Sequence, residues 1–455
     1  MSLKSKTFEK LSEAVNNADP STIDGVQILA LSASAVKNLN EGTDKENDIY
    51  QIGTPGEIGF GVATCPEHLI PGGWRGLPGH DLIISPNYGN YIDTNGSVLV
   101  YIPKHYYKYS GNNLEISHRP LSGFVIDRSF INAGKEINGV FIYKYGATNF
   151  NGIFASRKGF DPVSTHNDHN PLSTLNGTPP NRYGGLYQAV KTAGKDYYLT
   201  SIFNYSMLAR LAYAHGKAAG DNYVACAYAD KAPFMPKGCL NNALKDYNDS
   251  SVTFSPSGYS NCALTGSGEP FAKTTHNGQD CGIADLNGNM WEVASGFTCL
   301  TSSGADDEDL SSDDFLVLKE SVDIRDIVDD SNTAGTGAYD AGLYDQLDLS
   351  GIVDGNDGWV YLGNSTNQVF AMNTNRATAD YRKTALGIPT NDGVSSSGTI
   401  EFGNDGIYRY LRNEMACLCG GYWGAGSDAG VFTVYLGLFR TNASYYVSGR
   451  ACVLV

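Results

Sequence analysis

The C-terminal segment, residues 420–455, constrains the fold most, because small and apolar residues alternate there with bulky or polar residues of unrelated chemistry. Glycines punctuate it, and apolar residues at period two predict one strand followed by pieces of later strands. These apolar residues are Phe432, Val434, Leu436, Val447 and Val453. The side chains between them are expected to point away from the core. A segment with a rigid backbone and outward-pointing side chains of unrelated chemistry indicates a recognition surface rather than a catalytic pocket.

Three pieces of this segment carry a family resemblance: GGYW at residues 420–423, GSDAGVF at 426–432 and SGRACVL at 448–454. They resemble the variable region of proteins that are diversified by retroelements. In that family, adenines of a template copy of the gene are randomised, so Asn codons change into codons for many other residues. When only the first two adenines of an Asn codon change, codons for Lys, Glu, Gln, Met and Trp cannot arise. The segment contains no Lys, Glu, Gln or Met, and one Trp at a framework position, Trp423. An ordinary C-terminal β-hairpin with surface tyrosines is the alternative interpretation.

The resemblance implies that the residues between the framework positions bind the ligand. Tyrosine offers a large amphipathic contact area at low entropic cost, and Ser, Gly and Asn offer adaptable hydrogen bonds. Tyrosine and arginine are also common at binding hot spots. The predicted ligand-binding residues are Tyr422, Gly424, Ala425, Asp428, Thr433, Tyr435, Gly437, Leu438, Phe439, Arg440, Asn442, Ser444, Tyr445, Tyr446 and Ser448.

An upstream motif, DLNGNMWEV at residues 285–293, resembles the G-N-x-W-E-W signature of formylglycine-generating (sulfatase-modifying) enzymes, with Val293 in place of the last Trp. In that family the loop can hold calcium. The resemblance implies a candidate calcium site made of the Asp285 side chain, the carbonyls of Gly288 and Met290, and the Glu292 carboxylate, which are oxygen ligands of the kind calcium takes. The alternative is a tight turn in which Trp291 anchors the core and Glu292 caps backbone donors.

The order of the upstream elements also resembles that enzyme family. A strand is predicted at residues 97–103, paired strands at 123–132 and 140–145, a short helix at 184–191 and the best helix of the chain at 200–214. The fold class expected is α+β, a loop-rich C-type-lectin-like fold of the formylglycine-generating type with small antiparallel sheets and two main helices. Residues 1–95 are predicted to be an attachment region with a connector rich in Gly and Pro. Residues 96–455 form the lectin-like domain, with an acidic insertion at 301–400.

Composition limits the partners. The net charge of −16 argues against nucleic acid, which needs a basic footprint, and against anionic membrane surfaces. No run approaches the ~20 apolar residues of a spanning helix, and the N-terminus has no apolar signal core. The nine cysteines are an odd number spread through the chain and are expected to be buried free thiols of a protein made in a reducing cytoplasm.

Two further clusters raise the question of metal binding. His166 and His169 flank Asp168 in a polar loop, a spacing that a metal could use. Residues 304–314 are rich in Asp but lack the Gly and Glu positions of an EF-hand. We expect the histidines to be ordinary loop residues and the acidic run to be a solvated face.

An oxidase of the formylglycine-generating type is the alternative function. That chemistry uses two C-terminal cysteines that bind copper and activate oxygen, since thiolate is a soft ligand. The positions that correspond to them fall near Ala425 and Gly430, whereas Cys417 and Cys419 precede the double glycine and Cys452 lies near the terminus. The chain therefore has no cysteine at the two positions where the copper-binding pair of the enzyme family would lie. We expect a protein that is not an enzyme and requires no cofactor.

The expected function is therefore non-catalytic binding of a protein or glycan on a cell surface. Phage relatives in this class are receptor-binding tips of the virion, and cellular relatives are displayed at surfaces. The N-terminal region is expected to provide attachment or homo-oligomerisation. A purely structural virion or surface protein is a third hypothesis, which would require the tyrosines to be buried in an oligomer.

Overall fold

The computed structural model describes residues 51–110, 113–219, 249–255, 262–268, 274–300, 314–329, 333–352, 358–363, 375–376, 378–389, 393–395, 402 and 404–455. All of them belong to one unit, Tyr50–Val455. Within these ranges the chain is a mixture of α and β structure, with small, mostly antiparallel sheets and few helices. The α-helices are α1 (Gly185–Ala189), α2 (Ile202–Ala219) and α3 (Ala379–Ala385).

The strands are short, and several connections run through single 3₁₀ turns. Their bounds are β1 (Arg75–Gly76), β2 (Asn90–Ile92), β3 (Val98–Pro103), β4 (Tyr106–Ser110), β5 (Asn113–Ser117), β6 (Val125–Ile126), β7 (Ile131–Asn132), β8 (Lys135–Glu136), β9 (Gly139–Tyr143), β10 (Ala147–Phe150), β11 (Ile153–Ser156), β12 (Tyr197–Leu199), β13 (Trp291–Ala294), β14 (Phe297–Cys299), β15 (Phe315–Leu318), β16 (Tyr344–Gln346), β17 (Gly358–Leu362), β18 (Val394–Ser395), β19 (Gly406–Arg409), β20 (Cys417–Cys419), β21 (Val434–Tyr435), β22 (Val447–Ser448) and β23 (Ala451–Leu454).

The C-terminal strand β23 lies inside the largest antiparallel sheet rather than at its edge. The strand order is β1-β2-β3-β9-β23-β12, and β23 pairs with β9 (Val453 opposite Phe141) and with β12 (Cys452 opposite Tyr198). An interior strand has both edges hydrogen-bonded, and its side chains here are mostly buried. The last residues of the chain therefore complete the core.

The second large sheet has seven strands in the order β18-β17-β19-β21-β20-β13-β22. It combines strands from the predicted insertion, β17 and β18, with strands from the C-terminal segment, β21 and β22. Two of its pairings are parallel, β19 with β21 and β13 with β22. Parallel neighbours need long connections, so this sheet joins parts of the chain that are far apart in sequence.

Residues 51–95, predicted to be a connector, take part in this architecture. Strands β1 and β2 extend the six-stranded sheet. Ile52, Phe60 and Val62 are buried in the main hydrophobic core. The core thus begins well before residue 96, where the lectin-like domain was predicted to start.

Helix α2 confirms the strongest helix prediction. Its apolar residues are buried all round rather than on one stripe, as expected for a helix in the centre of a protein. Arg210, in the middle of the helix, is also buried. Its Nη2 lies 2.6 Å from the Asp127 carboxylate, and a buried charge needs such a partner.

The sheet prediction was confirmed in part. The strand predicted at 97–103 is β3, the short helix predicted at 184–191 is α1, and Val447 and Val453 lie on β22 and β23. The pairing of 123–132 with 140–145 is wrong, because β6 pairs with β4, whereas β9 pairs with β3 and β23. The hydrophobic pattern identified the strands, but it carried no information on their partners.

Some predictions lie outside the described residues. They are residues 1–50 of the predicted attachment region and the acidic run 304–314 except for its last residue. Among the described residues, no helix is long and apolar enough to cross a membrane.

Two buried histidines make the fold sensitive to acid. Nδ1 of His276 accepts a hydrogen bond from the Ile283 amide at 3.2 Å, so this ring is neutral and its Nε2 donates to the Gly61 carbonyl at 3.1 Å. Nδ1 of His215 likewise accepts from the Gly56 amide. Burial lowers the pKa of His276 to about 3 and that of His215 to about 4.

We predict that stability falls as the pH drops from about 6.5 towards 4. In this window the unfolded histidines bind protons that the folded ones exclude, so acid favours the unfolded state. Urea unfolding at pH 7.5, 6.5 and 5.5 should show a declining midpoint. His276→Gln should flatten this decline, whereas the same change at exposed His68 should leave it as in the parent protein. An unchanged pH slope in His276→Gln would refute the assignment.

Candidate functional site

The C-terminal segment enters its surface region through a double-glycine turn. Gly420 and Gly421 both have φ of +89°, in the left-handed region. A Cβ on Gly420 would lie 2.5 Å from the Leu286 carbonyl oxygen, and one on Gly421 would lie 2.5 Å from the Ala429 Cβ. Only glycine fits both requirements. The turn is therefore a fixed part of the framework, as predicted.

Aromatic rings follow this turn and form a contiguous cluster. Tyr422 packs against Tyr446 with ring centroids 4.6 Å apart, and Tyr446 packs against Tyr445 at 5.3 Å. Trp423 lies beneath them, 2% exposed, and its ring stacks on that of Tyr445 at 5.9 Å. Tyr445 is 40% exposed and is the most accessible ring of the group. Trp423 thus has the supporting role predicted for it.

The cluster continues across the seven-stranded sheet. Trp291, on β13, contacts both Tyr422 (6.4 Å) and Tyr435 on β21 (5.8 Å). Tyr435 stacks on Tyr408 of β19 with centroids 4.4 Å apart and planes within 5°. Tyr408 meets Trp359 of β17 at 5.3 Å. Cross-strand aromatic pairs of this kind stabilise a sheet and fix the positions of the rings.

We call this row of rings the aromatic strip. Its inner members, Trp291 and Trp423, are buried, and the outer members are half-buried or exposed. It consists of Tyr361, Trp359, Tyr408, Tyr435, Trp291, Tyr422, Tyr446, Trp423 and Tyr445. Sequence reasoning missed Trp359, Tyr361 and Tyr408, because they lie outside the C-terminal segment and join it only through the pairing of β17, β19 and β21.

The two loop histidines lie at one end of the strip. The rings of His166 and His169 are 5.4 Å apart and lie 5.9 and 5.3 Å from Tyr445. Nδ1 of His166 accepts a hydrogen bond from the Asp168 amide. Among the described residues no group of three or more His, Cys, Asp or Glu side chains could hold a metal ion. Both histidine rings thus pack near Tyr445, with His166 half-buried and His169 buried.

The predicted ligand-binding residues divide by accessibility. Tyr445 is exposed. Half-buried positions on the surface are Tyr422, Gly424, Ala425, Asp428, Tyr435, Leu438, Phe439, Asn442, Ser444 and Tyr446. Four others are buried and were wrongly expected to face outwards: Thr433, Gly437, Arg440 and Ser448.

Arg440 is buried because it is the centre of an ion-pair network. Its Nη1 lies 2.9 Å from the Asp329 carboxylate and its Nε lies 2.8 Å from that of Glu414. Nη2 donates to the Thr333 carbonyl. Arg182 approaches the other oxygen of Asp329 at 3.8 Å. Arg440 therefore fixes the loop after β21 and is not available to a ligand.

The other buried positions have similar structural reasons. The Thr433 hydroxyl donates to the Asp428 carbonyl (2.9 Å), and the neighbouring Phe432 amide donates to the Asp405 carboxylate (2.9 Å). A Cβ on Gly437 would lie 2.9 Å from the Tyr435 ring, so glycine is needed beneath the stacked tyrosines. Ser448 lies on β22 opposite Glu292.

The Glu292 carboxylate and the Asp285 carbonyl, both part of the candidate calcium motif, accept hydrogen bonds from the guanidinium of Arg450. The Glu292 carboxylate receives Nη2 of Arg450 at 2.8 Å and Nε at 3.0 Å, and the Tyr205 hydroxyl also donates to it. The same Nη2 donates to the carbonyls of Ala284 (2.8 Å) and Asp285 (3.2 Å). The guanidinium thus fills an oxygen-rich niche at the motif and neutralises Glu292.

The remaining parts of the motif are also engaged in structure. Oδ2 of Asp285 accepts from the amides of Gly146 and Gly266. The Gly288 amide donates to the Gly420 carbonyl, so the motif holds the double-glycine turn. Met290 is buried beside Trp423. Geometry therefore supports the tight-turn interpretation of residues 285–293, with Trp291 in the core. The expected role of Glu292 is wrong, because its carboxylate accepts from the side chains of Arg450 and Tyr205 rather than from backbone donors.

The described cysteines are buried and form no disulfide with one another. Cys417 and Cys419 lie on β20, in the interior of the seven-stranded sheet. Burial raises the pKa of Cys452 to about 12 and raises that of Cys419 well above its ordinary value. A thiol in such surroundings stays protonated and is a poor nucleophile and metal ligand.

Comparison with known proteins gives no further assignment: no family model and no curated protein sequence matches the chain. Function has to be argued from the surface itself.

We predict that Arg450→Met lowers the free energy of unfolding by about 3–5 kcal/mol, because it leaves the Glu292 carboxylate buried without its partner. Arg325→Met is the matched control, since Arg325 pairs with Asp323 near the surface at 2.6 Å, and should cost only about 0–1 kcal/mol. Urea unfolding of both variants measures the difference. Losses of the same small size would show that the Arg450 network contributes little.

Proposed function

We propose that this protein is a non-catalytic binding protein that presents the aromatic strip to a protein or glycan on a cell surface. We further propose that it has a C-type-lectin-like fold of the formylglycine-generating type and belongs with the variable proteins of diversity-generating retroelements. The observation that carries the binding proposal is the strip itself. A row of Tyr and Trp rings lies at the surface of residues 422–446 and of β17 and β19, with Tyr445 40% exposed.

The physical properties of the strip suit recognition. The outer rings stack on neighbours, as Tyr435 does on Tyr408 at 4.4 Å, so few rotamers remain to be frozen when a ligand binds. Rigid aromatic side chains that are ordered before binding reduce the entropic cost of association. Half-buried Asn442 and Ser444 lie beside the rings and can add hydrogen bonds.

The oxidase alternative receives less support. It requires a reactive thiolate near the C-terminal core. Cys417, Cys419 and Cys452 are buried, and burial raises the pKa of Cys419 and Cys452. The proposed binding function requires neither a thiolate nor a metal, and Arg450 supplies the positive charge at the motif that calcium would otherwise provide.

We also propose that the protein acts at a virion tail tip or at a cell surface. Residues 51–95 belong to the main core and the six-stranded sheet, so the proposed role in attachment or homo-oligomerisation is assigned to residues 1–50. The alternation of framework and variable chemistry in residues 420–455 supports the retroelement assignment. Sequencing the DNA around the gene tests it directly. A near-copy of the 3′ end that differs only at adenines, beside a reverse transcriptase, is expected. If no such near-copy is found, residues 420–455 form an ordinary surface whose sequence is not diversified.

We predict that Tyr445→Ala weakens binding to a glycan array or to intact target cells by at least about 30-fold, the loss expected of a hot-spot residue. The free energy of unfolding should change by no more than about 1 kcal/mol, since the side chain is exposed. Tyr410→Ala is the matched control, because Tyr410 is 36% exposed and its ring lies under the Arg412 guanidinium rather than in the strip.

Binding that survives Tyr445→Ala, or that is lost equally in Tyr410→Ala, would contradict the assignment of the strip. A large loss of stability in Tyr445→Ala would show instead that this ring belongs to the core.

A further inference from the structure

A cavity of about 370 Å³ lies away from the aromatic strip. It is bounded by the end of β15 with the turn that follows it, by α2 through Phe203, and by α3 through Tyr381 and Ala385. This volume is within the range of small-molecule sites. The cavity therefore has room for a compact organic ligand.

Arg128 lines this cavity and is itself only 6% exposed. Its Nη1 donates to the Ile131 carbonyl at 2.6 Å, and Nη2 lies 3.4 and 3.3 Å from the carbonyls of Leu318 and Lys319. A guanidinium has five N–H donors, so at least two have no acceptor among the described residues. The guanidinium carbon lies 4.4 Å from the Phe203 ring centroid, which fixes the side chain against an apolar wall.

No carboxylate of the described residues lies within ion-pair distance of Arg128. The adjacent carboxylate, Asp127, is taken by Arg210 at 2.6 and 3.1 Å. Burial accordingly lowers the pKa of Arg128 from its ordinary value, with the more distant Glu320 opposing this effect. A buried positive charge without a direct counterion is costly, and an anion in the cavity would relieve that cost.

The remaining charges around the cavity leave it positive. Arg376 pairs with Glu320 at 2.6 Å, and Arg382 lies 3.5 Å from Asp345, so these four groups balance. Arg128 and Lys319 add two further positive charges to the lining. Phe203, Val317 and Ala385 supply apolar walls beside it.

We propose that this cavity binds a small organic carboxylate with a flat apolar body. The carboxylate would accept from the free donors of Arg128, as charge-assisted hydrogen bonds favour, and the body would pack against Phe203 and Val317. This site is separate from the aromatic strip, and it stands whether or not the proposed surface function holds.

The test uses benzoate as the probe and benzamide, its neutral isostere, as the control. In calorimetric titration of the full-length protein in low-salt buffer, benzoate should bind saturably with a stoichiometry of one, and benzamide at the same concentrations should not. Thermal unfolding should show a matching rise in the melting temperature that saturates with benzoate.

Variants of the rim locate the binding. Ser321 is exposed and lines the cavity, so Ser321→Glu places a negative charge at its mouth without disturbing the core. Ser321→Glu should weaken benzoate binding by about tenfold, the effect of one close like charge, and Ser321→Gln should not. Arg128→Gln, if it folds, should abolish the binding.

Absence of saturable benzoate binding to the parent protein would overturn the proposal. Equal affinity for benzoate and benzamide would also overturn it, as would equal benzoate affinity in the Ser321→Glu and Ser321→Gln variants.

Discussion

One buried guanidinium, that of Arg450, joins the main parts of this fold. Arg450 lies between β22 and β23, so it sits where the chain passes from the seven-stranded sheet to the six-stranded sheet. It donates to Glu292 on β13 and to the Tyr143 carbonyl on β9, and Tyr205 of α2 completes the group at the same carboxylate. Two sheets and the central helix thus meet at one ion pair.

This arrangement explains how side chains on the surface of residues 420–450 could be replaced while the backbone of that segment keeps its position. Backbone hydrogen bonds to the motif at residues 285–293 hold the chain around residues 420–450 in place. The Gly288 amide binds the Gly420 carbonyl, the Trp291 amide binds the Tyr446 carbonyl, and Asn289 accepts the Trp423 amide through its carbonyl. Rings such as Tyr445 can then be exchanged at small cost in stability, because the backbone hydrogen bonds do not depend on them.

The sequence allowed the local elements near the C-terminus to be predicted better than their environment. The apolar residues Val447 and Val453 correctly indicated strands β22 and β23. The strand predicted through Phe432, Val434 and Leu436 is shorter than expected, since β21 contains only Val434 of the three. The pattern could not show that Arg440 is buried, because its partner Asp329 lies far away in the chain and its partner Glu414 lies before β20. Nor could it show that Trp359 and Tyr408 join the aromatic strip, since a strand's own pattern does not identify its neighbours.

The same contacts constrain which positions of the segment can vary. If residues 420–455 are diversified, replacing Arg440 would remove the closest cation from the buried Asp329 and Glu414 carboxylates and leave Asp329 with Arg182 at 3.8 Å. Breaking a buried ion pair in this way is strongly destabilising. A side chain at Gly437 would collide with the Tyr435 ring. Substitution at Tyr422, Tyr445 and the other accessible positions is therefore expected to cost little stability, whereas substitution at the buried positions would destabilise the fold. The boundary between framework and display follows burial and ion pairing rather than strict alternation along the strand.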